Sequence, residues 1–117
     1  MVTARERFIV NRLLEKGGVV NKVATRYVAA GFNVRVKPNI NDIDIIAIRN
    51  TKMGERYGIK VLHEKREYGV EVVNRVLETC KQHSLKPVLI LYGSGPRLSE
   101  EALNRAREEG VIVKRIR

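Results

Sequence analysis

The stretch from Asn39 to Lys65, NINDIDIIAIRNTKMGERYGIKVLHEK, concentrates the side chains of this chain that could do chemistry. Asp42 and Asp44 stand at the mouth of an apolar run, a polar turn follows, and a second run ends in His63, Glu64 and Lys65. Acid on one strand with lysine on its neighbour is what a metal-assisted phosphodiester site requires. A carboxylate holds the cation against the phosphate, the cation lowers the pKa of a bound water, and the ammonium steadies the attacking water or the developing charge. Asp44, inside the run, is the candidate metal ligand. Asp42, with Asn39 and Asn41 after Pro38, reads better as a turn residue. Lys65, with Arg66 beside it, also fits a solvated strand end.

Charge supplies the second clue. Twenty-three Lys and Arg against thirteen Asp and Glu leave +10, an excess that favours a polyanionic partner. A surface rich in ion pairs would account for the 31% of charged residues but not for the excess of one sign. The cations Arg35 and Lys37 alternate with Val34 and Val36, and Ser94, Arg97 and Arg66 sit in polar stretches next to apolar runs. These five are the candidate phosphate contacts. With four Tyr, two Phe and no Trp, and no RNP-like aromatic pair, base stacking is disfavoured. Duplex or branched DNA, held by its phosphates, is the expected partner.

These residues need a scaffold. At 117 residues and 44% hydrophobic composition, residues 1–117 are expected to form one domain with its own core. No apolar run approaches the ~20 residues of a membrane span, and MVTARERF has no apolar signal core, so a cytoplasmic location is expected. Cys80 lacks a cysteine partner and falls at an apolar position, which makes it a core residue.

A capping-box pattern at Thr3 to Glu6 opens a helix carrying Phe8, Ile9, Leu13 and Leu14. Val20, Val23, Ala24, Tyr27 and Val28 then give a helical stripe closed by Gly31. Phe32, Val34 and Val36 alternate as a half-buried strand until Pro38 ends it. Ile43 to Ile48 predicts a second strand, Asn50 to Glu55 a turn, and Tyr57 to Lys65 a third strand paired with the second. Val70, Val73, Leu77 and Cys80 predict a helix ending near His83. The run Val88 to Tyr92 is that of a strand covered on both faces, which predicts a parallel crossover. Gly93-Ser94-Gly95-Pro96 breaks it, Ser99 caps a helix with Ala102, Leu103 and Ala106 on its inner stripe, and Val111 to Ile116 is the last strand. The order predicts an α/β fold, a mixed sheet flanked by helices.

This order and these motifs resemble the PD-(D/E)XK nuclease superfamily, and within it the Mrr-like restriction endonucleases and archaeal Holliday-junction resolvases. The resemblance spans nearly the whole chain and implies a restriction-endonuclease-like mixed β-sheet with helices on both faces. In that family an acid opens the second strand, as Asp44 does in NDIDIIAI, and a Glu or Gln two residues before a Lys lies on the third. The resemblance places His63-Glu64-Lys65 there, and KPVLILYGSGPRLSEEALNRAREEGVIV matches the final strand, helix and strand. It implies a metal-dependent DNA endonuclease or junction resolvase using Mg²⁺ or Mn²⁺, with Asp44, His63, Glu64 and Lys65 as its catalytic set. Since cutting two strands takes two sites, a homodimer is also expected. Two positions depart from the pattern: His63 replaces a Glu or Gln, and Asn21 stands where many members carry Glu. A second register, with Gly58-Ile59-Lys60-Val61-Leu62 at the motif, reads as losing both catalytic positions. Two further readings stay open: a nuclease-fold DNA-binding protein without cleavage, and a small RNA-binding α/β protein.

Overall fold

A computed structural model describes Ala4, Arg5, Ile9 and residues 18–51 and 54–117. The helix expected from Thr3 to Leu14 lies for the most part outside the described residues. The elements that follow are α1 (Val19–Ala29), β1 (Asn33–Ile40), β2 (Ile43–Arg49), β3 (Glu55–Leu62), β4 (Glu67–Tyr68), α2 (Val70–Gln82), β5 (Lys86–Tyr92), β6 (Arg97–Leu98), α3 (Glu100–Glu108) and β7 (Ile112–Ile116). Among the described residues, no helix is long and apolar enough to cross a membrane.

The main sheet runs β1-β2-β3-β5-β7. Its first three strands form an antiparallel meander, whereas β3, β5 and β7 are parallel. Strand β5 explains why the sheet is sandwiched: Val88 and Ile90 enter one core cluster, Leu89 and Leu91 the other. Helix α1 covers the first cluster with Val23 and Ala24, and α2 and α3 cover the second with Val73, Val76, Cys80, Ala102 and Ala106. The fold is a mixed α/β sheet flanked by helices on both faces, as the sequence predicts.

Local chemistry sets the boundaries. Gly31, at φ 93, reverses the chain after α1, and Phe32 N–H donates to the Tyr27 carbonyl while Gly31 N–H donates to Val28, satisfying the exposed end of the helix. The Ser99 hydroxyl accepts from Ala102 N–H at 3.1 Å and starts α3, with Glu100 and Glu101 in the first turn.

Three expectations need correction. Pro38 does not end β1: the strand continues to Ile40 across an irregularity in which Lys37 and Asn39 take positive φ. This is an outer strand, where a missing N–H costs no ladder bond. Strand β3 starts two residues earlier than expected and stops at Leu62. Leu103 is exposed, and the buried side chains of α3 are those of Ala102 and Ala106. The sequence also gave no hint of the small parallel pair β4 and β6, in which Glu67 meets Arg97 and Tyr68 meets Leu98.

Candidate nucleic-acid interface

The antiparallel register of β2 on β3 sets Ile45 against Ile59 and Ile46 against Gly58. One step further, Asp44 lies across from Lys60. The Asp44 Oδ2 accepts the Val61 N–H at 2.8 Å, and the Lys60 Nζ stands 3.6 Å from the same oxygen. Both side chains are half-buried, on the face where Lys60 neighbours Leu89. Lysine across from Asp44 is therefore Lys60, the lysine of the second register, and not Lys65. The signal was present: a cation between the apolar Ile59 and Val61 calls for a partner.

The expected catalytic tripeptide lies elsewhere. His63, Glu64 and Lys65 follow the last residue of β3 in a bend, and all three are exposed. The reason is local. Arg66 N–H donates to the Glu64 carbonyl at 2.9 Å, which turns the chain away before it enters β4. His63 and Glu64 still border the same place. Asp42, Lys60, His63, Glu64, Arg66 and Arg75 line one cleft of about 250 Å³, and Arg75 approaches Asp42 at 3.7 Å.

The loop after β5 closes on this bend. A Cβ on Gly95 would lie 3.0 Å from Lys65 Cβ and 3.1 Å from its Cα, so a side chain there would push the two segments apart. Arg97 N–H donates to the Arg66 carbonyl at 3.1 Å, while Arg115 from β7 donates to the carbonyls of Gly93 and Pro96 at 2.6 and 2.8 Å. Parallel strands thus deliver Lys65, Arg66, Ser94, Arg97 and Arg115 to one end of the sheet, the end at which open α/β sheets bind ligands. The Arg66 guanidinium sits 4.2 Å from the Tyr68 ring centroid, which props it without neutralising it. Arg97 is 3.8 Å from Glu67. Ser94 is exposed in the loop. Arg35 and Lys37 are exposed on β1, Arg35 opposite Ile46 and so on the Asp44 face.

The donor set for a metal can be tested against this geometry. Mg²⁺ or Mn²⁺ takes several oxygens, yet the Asp44 oxygen is engaged by an N–H and an ammonium, and Asp42 faces Arg75. Among the described residues, no three His, Cys, Asp or Glu side chains stand together as a cation site. Gly58, which precedes Lys60 by two residues, leaves no room for a side chain: a Cβ there would lie 2.7 Å from Cys80 Sγ and 3.1 Å from Ile43 and Leu85. As placed, Asp44 and Asp42 each face a cation, and no ready-made set of oxygen donors is assembled among the described residues.

No family model matches the chain, and no curated protein matches it in sequence. Two solved structures resemble it. One, a protein of unknown function, is 22% identical with a TM-score of 0.59, covering 91% of this chain and 54% of its own. The other, a repair endonuclease from Pyrococcus abyssi, is 16% identical with a TM-score of 0.52, covering 78% of this chain and 41% of its own. The chain thus spans about half the length of these proteins, and what it shares with the endonuclease is the fold, a nuclease-like mixed sheet flanked by helices.

Proposed function

We propose that this chain is a nuclease-fold protein of the PD-(D/E)XK type that binds duplex or branched DNA by its phosphates and does not cut it. The observation that carries the binding reading is the convergence of Lys65, Arg66, Arg97 and Arg115 where β3, β5 and β7 end. With +10 overall, this edge supplies the countercharge that sequence-independent binding requires. Loss of cleavage rests on Asp44. In the register of β2 on β3, Gly58 stands where the superfamily pattern has Glu or Gln, and Lys60 keeps the place of the lysine. Lys60 then neutralises Asp44 directly, doing in part what a metal would do.

Binding of a labelled duplex and a four-way junction, measured by anisotropy across a salt series, tests the first half. The logarithm of affinity should fall linearly with the logarithm of salt, and charge reversal of Lys65, Arg66 and Arg97 should reduce the slope by about 0.9 per lost contact. A flat salt response, or tighter binding of structured RNA than of either DNA, would defeat the reading. Incubation of the same DNA with Mg²⁺ and with Mn²⁺ tests the second half. No product is expected; metal-dependent cleavage abolished by Asp44→Asn would restore the endonuclease reading.

A further inference from the structure

We propose that the cleft on the α1 face of the sheet is a nucleotide site, taking a flat base with its 5′-phosphate. The cleft encloses about 490 Å³, within the ~300–1,000 Å³ of small-molecule sites. It lies on the opposite face from Asp44 and Lys60, since Val61 and Ile90 share this side while Lys60 and Leu89 share the other. It therefore rests on residues that the DNA-binding reading does not use.

The lining separates into three zones. Ile90, Ile112 and Ile116 make an aliphatic floor. Tyr27, Phe32 and Tyr57 form one wall, packed edge to face with centroids 5.5 and 5.8 Å apart. This fixed group of rings offers apolar area for a flat base, and the tyrosine hydroxyls can hydrogen-bond to its edge. Burial, with Tyr57 nearby, raises the Tyr27 pKa, so its hydroxyl stays a donor. The third zone is cationic. Arg49 lies 4.5 Å over the Phe32 ring and is ion-paired with Glu55, so it is neutralised in place and braces the wall. Arg26 and Lys114 line the cleft and are exposed, from α1 on one side and β7 on the other. Two cations beside an aromatic and aliphatic slot match the division of a nucleotide into phosphate and base.

The test uses the full chain, ¹⁵N-labelled, with adenosine 5′-monophosphate as the probe and adenosine and inorganic phosphate as its halves. Calorimetry should give one site, with both halves at least tenfold weaker. Amide shifts should centre on Tyr57, Ile112 and Lys114 and spare Lys60 and Lys65. Arg26→Glu with Lys114→Glu should weaken the nucleotide at least tenfold and leave adenosine unchanged; should that pair unfold the chain, Lys114→Gln alone should weaken it about threefold. A 5′-phosphorylated dinucleotide separates the sources: tighter binding than the mononucleotide assigns the site to a strand end, equal binding to a free nucleotide. Absence of saturable binding at millimolar probe, or shifts centred on Lys60 and Lys65, would overturn the assignment. Loss of salt-dependent DNA binding in Lys65, Arg66 and Arg97 variants would leave it untouched.

Discussion

Replacing Gly58 with alanine is the sharpest probe of the packing behind Asp44 and Lys60. A methyl there must enter a space already held by Cys80 Sγ at 2.7 Å and by Ile43 and Leu85 at 3.1 Å. All three neighbours are buried, so relief needs movement of a strand or of α2. Overpacking of this kind costs about 1 to 3 kcal/mol, which for a chain of this size lowers Tm by roughly 3 to 15 °C. Cys80→Ala alone removes a sulfur from the core and should cost about 1 kcal/mol. The two changes are not independent, because the second clears the atom that the first strikes. In the double variant the methyl occupies the vacated space, and stability should exceed the additive expectation by about 1 kcal/mol or more. Urea melts of the four proteins, compared at equal m, measure this coupling. A Gly58→Ala protein as stable as the parent, or strictly additive costs, would refute the wall at position 58, and with it the argument that no side chain can stand there.

Asp44→Asn keeps an oxygen for the Val61 N–H and should change stability little, while Asp44→Ala strands that donor and should cost about 1 to 3 kcal/mol by urea melt. Both variants remove a negative charge beside the proposed phosphate path and should bind DNA as tightly as the parent or more tightly in the same anisotropy assay. Replacing Arg35 and Lys37 together with alanine should shrink the salt slope by about one to two units, alike for all sequences. Burial pushes the Cys80 thiol up from 9.0 to about 11. Its folded pKa is the higher one, so the stabilisation it contributes is complete below pH 9 and is lost as the pH rises through 11; a thiol reagent at pH 8 should label only the unfolded chain.

Much of the scaffold was legible because burial imposes simple periods. The uninterrupted run of β5 announced a strand with a core on both faces, and Val88 and Ile90 divide from Leu89 and Leu91 accordingly. Ser99 named the start of α3 through its own hydroxyl. What failed were boundaries that long-range geometry decides. Pro38 reads as a terminator in a sequence, but whether it stops a strand depends on which side of the sheet lacks a neighbour. The pair β4 and β6 has two residues per strand, too few for any period to register.

The site was harder to read for a related reason. His63-Glu64-Lys65 and Gly58-Ile59-Lys60 both offer a lysine two residues after a candidate position, and composition cannot choose between them. Register chooses. Because Ile45 pairs with Ile59, the side chain across from Asp44 must be that of Lys60, and Lys65 is carried past the strand end into the bend. In this register Gly58 stands two residues before Lys60, and the Lys60 ammonium faces Asp44 at 3.6 Å. A lysine so placed can hold an anion only if its own carboxylate releases it. Phosphate binding at the cleft should therefore compete with the Asp44–Lys60 pair, and Asp44→Asn should strengthen DNA binding only while Lys60 is present. Equal gains in the presence and absence of Lys60 would separate the pair from the binding edge formed by Lys65, Arg66, Arg97 and Arg115.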